Sequence, residues 1–92
     1  MLHKTAAADA VLPLGKAHKG FRGRIHAIDV SPEASDLPPG ELERRLIELG
    51  FIEGARVEIL HEGFFGRDPI AVRINDVTVA LRRREAMSIL VS

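Results

Sequence analysis

One segment near the middle of the chain has the hydrophobic spacing of a short amphipathic helix. Leu42, Leu46 and Leu49 follow one another at intervals of four and three residues, which places them along one helical face. The stripe begins after Pro38, and proline is well tolerated in a first helical turn. The pattern therefore predicts a helix over Pro39–Leu49.

The predicted helix ends at a glycine. Gly50 follows the last leucine of the stripe, and glycine enters the left-handed backbone region more easily than other residues. Phe51 comes next and is placed to fold back on Leu46, which is the apolar contact of a Schellman cap. We therefore assign structural roles to Gly50 and Phe51, and to Gly54, which sets the turn before the following strand.

Three segments alternate between apolar and polar residues, as half-buried strands do. They are residues 55–60, 70–74 and 77–81. Asn75 and Asp76 separate the last two and predict a two-residue β-hairpin turn. The turn sets a register in which three apolar pairs share one inward face: Ile74 with Val77, Val72 with Val79, and Ile70 with Leu81.

Two further strands complete the predicted sheet. Residues 21–30 form the first, with a bulge or sharp bend, because Ile25 and Ile28 cannot share a face of a regular strand. Residues 89–91 form the last. Five short strands, with one short helix between the first two main strands, predict a mainly β fold. We expect a small, partly open SH3-like barrel, with a five-stranded OB-fold as the alternative.

Length and composition narrow the class of protein. Ninety-two residues allow one small domain, expected over residues 12–92, after an alanine-rich flexible tail over residues 1–11. Basic and acidic side chains number 13 each, which argues against a dedicated nucleic-acid binder. The sequence has no cysteine, which excludes disulfides and thiolate metal sites. Its apolar runs are far shorter than the roughly 20 residues of a spanning helix, so we expect no membrane insertion. The absence of cysteine suits the cytoplasmic location that we expect.

Three stretches, taken in order, resemble one protein family. The first runs from Leu46 to Gly54 and has a leucine, a glycine and a hydrophobic residue in succession, with a second glycine four residues after the first. The others are Gly66-Arg67-Asp68-Pro69-Ile70, with Arg67 as an extra residue, and Ala80-Leu81-Arg82 followed by Glu85-Ala86 and Ile89. Together they resemble the FeoA family, the small cytoplasmic proteins of bacterial ferrous iron uptake.

The resemblance implies an SH3-like barrel that works with FeoB, the membrane-embedded GTPase that carries Fe(II). The implied role is that of an accessory or regulatory adaptor. The barrel also looks similar to the C-terminal domain of iron-dependent repressors, but their helix-turn-helix has no counterpart in this sequence, so we expect an adaptor. Two alternatives stay open: a metal sensor that responds to Fe(II) or Zn(II), and a nucleic-acid binder that uses a basic face.

Neither an active site nor a metal site stands out in the sequence. No glycine-flanked nucleophile and no phosphate-binding loop occurs, so we expect no enzymatic activity. The weak candidates for metal ligands are His26, His61 and Glu62. None has a short ligand spacing, and His61 and Glu62 are adjacent, so on a strand they point to opposite faces. We therefore expect no cofactor, and the spacing does not support a site for Fe(II) or another divalent metal.

Two neighbouring phenylalanines are the first candidate contact with a partner. Phe64 and Phe65 lie between Gly63 and Gly66, and adjacent residues of an extended segment point in opposite directions. We expect one ring to plug the barrel end and the other to meet the transporter. The family pattern places an apolar residue just before the loop glycine, which favours Phe65 as the core residue.

Five arginines are the second candidate. A basic face formed by Arg44, Arg45, Arg82, Arg83 and Arg84 would dock on an acidic protein surface. The alternative is a solvated rim that Glu41, Glu43 and Glu85 balance. No nucleic-acid partner is expected, because the net charge is zero. Weak self-association through an exposed barrel edge stays open.

Overall fold

The computed structural model describes residues 10–92, which form one strongly bent antiparallel sheet with short helical connections. The elements, in chain order, are β1 (Leu12–Pro13), a 3-10 turn (Leu14–Lys16), β2 (Arg22–Ile28), α1 (Pro39–Glu48), β3 (Arg56–Glu62), β4 (Ile70–Ile74), β5 (Val77–Leu81), α2 (Arg83–Ala86) and β6 (Ile89–Val91). The predicted flexible tail lies outside the described residues, apart from the exposed Ala10 and Val11.

The predicted mainly β fold is confirmed, with the helix between the first two main strands. The described residues form six strands in the order β1-β6-β2-β3-β4-β5, one more than predicted. The additional strand, β1, has two residues that pair with β6, which is too short for any alternating pattern. No helix within residues 10–92 has the length and apolar character that crossing a membrane requires.

Strand β2 bends the sheet into a barrel because it serves both halves of the structure. Its first part pairs with β3, from Arg22 to Arg24, and its second part pairs with β6, from Ile25 to Ile28. The register shifts between Ile25 and Ala27. The bulge predicted in this strand is therefore confirmed, and it lies where the strand passes from one half of the barrel to the other.

The β4–β5 hairpin has the predicted strands and the predicted register. Ile74 pairs with Val77, Val72 with Val79 and Ile70 with Leu81. Leu81 is buried and Val79 packs against the core, as predicted, but Val77 is 54% exposed, so the predicted inward face is wrong for that residue. Strand β5 is the last strand of the sheet, so its first residue lies beyond the core.

The end of α1 has the hydrogen bonds of a Schellman cap. The Gly50 N–H donates to the Ile47 carbonyl oxygen at 2.9 Å, and the Phe51 N–H donates to the Leu46 carbonyl oxygen at 3.0 Å. Gly50 has a φ of +109°, in the left-handed region. Phe51 is fully buried beside Leu46 in the hydrophobic core, so the structural roles predicted for this cap agree with the structure.

A single hydrophobic core lies between these elements. Within the described residues, its members come from the 3-10 turn, both helices, five of the six strands and the connecting segments: Leu14, Ala17, Ile25, Ala34, Leu42, Leu46, Phe51, Val57, Ile59, Ile70, Val72, Ile74, Leu81, Ala86, Ile89 and Val91.

The helix cap generates the first prediction. Gly50→Val should lower the free energy of unfolding by about 1–2 kcal/mol or more, because a β-branched residue fits the left-handed region poorly. A Cβ atom at Gly50 would lie 3.5 Å from Ile74, an ordinary contact, so the loss comes from the backbone. Urea denaturation measures it. The control Gly40→Ala, in the open first turn of α1, should keep or raise stability. Equal stability of Gly50→Val and the unchanged protein would contradict the cap.

Candidate partner-binding surfaces

Both phenylalanines of the β3–β4 loop are on the surface. The exposed fractions are 101% for Phe64 and 91% for Phe65. The predictions that one ring plugs the barrel end and that Phe65 is a core residue are therefore wrong. Gly66 and Arg67 have φ values of +69° and +58°, and two successive left-handed residues form a turn in which neither ring contacts the core. The sequence pattern assumed an extended segment, in which the two rings would alternate.

The base of this loop is fixed by hydrogen bonds. The Gly63 N–H donates to the Pro69 carbonyl oxygen at 2.9 Å. A Cβ atom on Gly63 would collide with the backbone carbonyl of Asp68, so the close approach requires glycine. The Asp68 Oδ1 accepts the backbone N–H of Arg83 at 2.9 Å, which joins the loop to the start of α2. The two exposed rings are thus presented by a loop with a defined base.

The side chain of Arg83 holds three segments together. Its Nε donates to the Arg67 carbonyl oxygen at 2.8 Å. Its Nη1 donates to the carbonyl oxygens of Gly15 and Ala17 at 2.9 and 2.6 Å, and its Nη2 donates to Glu62 Oε2 at 2.6 Å. The side chain is only 17% exposed. We call this set of bonds the Arg83 clamp. The prediction that Arg83 belongs to an exposed basic face is wrong, because its guanidinium is largely buried and donates to three backbone oxygens and to Glu62.

The other arginines of the predicted basic face are separated and partly paired. Arg84 Nε donates to the Glu33 carbonyl oxygen at 2.8 Å, and Arg84 Nη2 lies 3.5 Å from Asp36 Oδ1. Arg45 Nη1 lies 3.8 Å from Glu85 Oε2. These contacts favour the alternative of a rim balanced by acidic groups. Roles in partner binding for Arg44, Arg45, Arg82 and Arg84 stay predictions.

The three candidate metal ligands are not arranged as a site. Glu62 Oε2 accepts hydrogen bonds from the Arg83 guanidinium and, at 3.1 Å, from the Lys19 backbone N–H. The same oxygen lies 3.7 Å from His18 Nδ1. His61 and His26 are exposed on β3 and β2. Within residues 10–92, no three His, Asp or Glu side chains form a group that could hold a metal ion.

A basic cleft on the outer face of β2, β3 and β4 was missed by sequence reasoning. It has a volume of about 590 Å³ and is lined by Arg22, Gly23, Arg24, Arg56, Val57, Glu58, Arg73, Asn75 and Asp76. We call it the arginine cleft. Arg22 and Arg24 lie on one strand, and the strand register brings Arg56 and Arg73 beside them. The available signal was that Arg56 and Arg73 each lie between two apolar residues of an alternating strand.

Comparison with known proteins gives a consistent picture. The model of the FeoA domain family matches residues 12–92. A FeoA protein from Chlorobium tepidum shares 30% identity with a TM-score of 0.70, and the match covers 87% of this chain and 68% of that one. Iron(II) transport protein A from Clostridium thermocellum shares 32% identity with a TM-score of 0.72, covering 87% of this chain and 44% of that one.

A third similar structure is a zinc complex. FeoA from Stenotrophomonas maltophilia shares 28% identity with a TM-score of 0.68, and the match covers 86% of this chain and 87% of that one. That protein is described as an SH3 domain protein proposed to act as a bacterial ferrous iron transport activating factor. Among curated proteins, none matches this sequence significantly.

The Arg83 clamp generates the second prediction. Arg83→Ala should lower the free energy of unfolding by about 2–4 kcal/mol, because it removes the donors to three carbonyl oxygens and the ion pair with Glu62. Chemical denaturation monitored by circular dichroism measures the loss. Arg44→Ala is the control, since Arg44 is exposed and makes no side-chain hydrogen bond or ion pair in the described part of the chain. It should change stability by no more than about 0.5 kcal/mol. Equal losses in the two variants would refute the clamp.

Proposed function

Since this chain belongs to the FeoA family, we propose that it acts in the cytoplasm as an accessory factor of bacterial ferrous iron uptake and binds the transporter FeoB. The description of the Stenotrophomonas protein as a ferrous iron transport activating factor supports the accessory role. The family match and the SH3-like fold support an adaptor that works by binding. The proposed partner surface is the loop that carries Phe64 and Phe65.

The observation that carries this proposal is the complete exposure of two adjacent aromatic rings. Phenylalanine buries a large apolar area when it is covered, and aromatic residues are enriched at protein interfaces. Phe64 and Phe65 both lie on the surface, whereas Phe51 of the same chain is fully buried. The fixed base of the loop lowers the ordering cost of binding, because the backbone on either side is already hydrogen-bonded. The two rings would bind in a hydrophobic recess on the surface of the partner.

The third prediction tests this surface. Phe64→Ala and Phe65→Ala should each leave stability within about 0.5 kcal/mol, because neither ring contacts the core. At least one of them should weaken binding to the cytosolic part of FeoB by about 1–3 kcal/mol, the range of an interface hot spot. Isothermal titration with purified proteins measures the affinity.

A remote apolar residue provides the control for this experiment. Ile52 is also exposed, and it lies before the start of β3, at the end of that strand away from the loop. Ile52→Ala should leave binding unchanged. Normal binding by both phenylalanine variants would rule out the loop as the contact, and Arg44 and Arg82 would then be the next residues to test.

Metal sensing is the second candidate function, and the zinc complex of the Stenotrophomonas protein is the observation that favours it. The contacts of Glu62 oppose it in this chain, because its carboxylate is already bound to the Arg83 guanidinium at 2.6 Å. A metal at Glu62 Oε2 would compete with the Arg83 guanidinium and the Lys19 backbone N–H for the same oxygen. We therefore propose that the monomer has no tight site for Fe(II) or Zn(II).

The fourth prediction concerns metal binding. Calorimetric titration of the monomer with Zn(II), and with Fe(II) under anaerobic conditions, should show no one-to-one binding tighter than about 1 μM, which corresponds to about 8 kcal/mol. His61→Ala and His26→Ala should give the same result. One-to-one binding of higher affinity that either substitution removes would overturn this prediction and support the sensor.

A further inference from the structure

We propose that the arginine cleft is a second binding site, and that it takes an extended, acidic segment of a partner protein. The proposal does not rest on the loop with Phe64 and Phe65. The cleft includes Asn75 and Asp76, at the end of β4 away from that loop. It is therefore a separate surface with a different chemistry, charged where the loop is apolar.

The register of β2, β3 and β4 arranges the cleft in two rows. In the first row, Glu58 of β3 lies between Arg22 of β2 and Arg73 of β4. In the second row, Arg24 of β2 lies directly opposite Arg56 of β3. The rows are two residues apart along each strand, which corresponds to about 6.5–7 Å. The register thus places four arginines in two rows on one outward face of the sheet, with Arg24 Nη1 donating to the Gly54 carbonyl oxygen at 3.0 Å.

The charges of this face are only partly balanced, since Glu58 and Asp76 stand against four arginines. Like charges that lie directly opposite on neighbouring strands destabilise a sheet, and Arg24 and Arg56 form such a pair. Within residues 10–92, neither Arg22, Arg56 nor Arg73 has an acidic group within ion-pair distance. Glu58 is the one acidic residue among the strand positions that line the cleft. A bound group that carries negative charge would remove this repulsion.

The geometry favours carboxylates on an extended chain. Side chains on one face of an extended segment recur every two residues, at about 6.5–7 Å, which matches the separation of the two rows. Arginine binds carboxylates through two parallel hydrogen bonds, so each row can receive one acidic side chain. A volume of about 590 Å³ on the outer face of the sheet accommodates several residues of a peptide.

Phosphate-rich ligands fit the cleft less well. Glu58 lies in the middle of the first row and Asp76 lies at the rim, where both would repel a doubly charged phosphate. The residues that line the cleft include no aromatic side chain on which a nucleic-acid base could stack. They also include no helix N-terminus, which is the usual cradle of a phosphate group.

The test uses the full chain and a defined probe. The probe is a fluorescein-labelled heptapeptide in which glutamate and threonine alternate, and fluorescence anisotropy measures its binding at low and at physiological salt. We expect binding that weakens with added salt, and no binding of the matched peptide with lysine in place of glutamate. Arg56→Thr and Arg73→Gln should each weaken binding about tenfold, the effect of losing one charge-assisted contact. Arg44→Gln removes one charge outside the cleft and should change affinity less than about twofold.

Thermal denaturation separates loss of the site from loss of the fold. Arg56→Thr should keep or raise the melting temperature, because it removes the repulsion with Arg24 and places a good strand former in β3. The proposal is overturned if Arg56→Thr and Arg73→Gln fold and bind the peptide with unchanged affinity. It is also overturned if a single-stranded oligonucleotide or inorganic phosphate binds more tightly than the peptide. A third contrary result is self-association that Arg56→Thr abolishes, in a protein that does not bind the peptide.

Discussion

The hydrogen bonds of one guanidinium group hold together the end of the barrel that presents the candidate partner surface. Arg83 supplies donors to carbonyl oxygens of the 3-10 turn and of the β3–β4 loop, and to the carboxylate that ends β3. Few backbone hydrogen bonds join these segments directly. The planar guanidinium, with several donors in fixed directions, connects them instead. The Arg83 backbone N–H also binds Asp68, which ties the loop to α2. The place of the two exposed phenylalanines therefore depends on a residue that they do not touch.

The features that were predictable from sequence are those that residues close together in the chain determine. The β4–β5 hairpin was predicted with its register, because a two-residue turn and two alternating segments leave little choice of pairing. The helix end at Gly50 was predictable for the same reason, since a stripe of leucines, a glycine and a phenylalanine lie within one continuous segment. Strand β1 was not, because two residues carry no period and depend on pairing with β6.

The candidate sites depended on contacts between distant segments, and there the sequence was less informative. Arg82, Arg83 and Arg84 are consecutive and looked equivalent, but only Arg83 turns towards the carbonyl oxygens of the 3-10 turn. Phe65 was expected in the core, whereas Gly66 and Arg67 turn the loop away from it. The neutral net charge likewise gave no sign that four arginines share the arginine cleft.

The position of β6 has a consequence for how the barrel forms. Strand β6 lies between β1 and β2, so Leu12 pairs with Val91 and Ile28 pairs with Ile89. These pairs join segments separated by most of the described chain, and closing so long a loop is entropically unfavourable until the contacts that reward it exist. The hairpin and the capped helix involve only local contacts and can form earlier. During synthesis, β1 and the second half of β2 therefore lack their pairing partner until β6 has left the ribosome. Their apolar faces stay accessible to chaperones, and to other chains, for that whole interval.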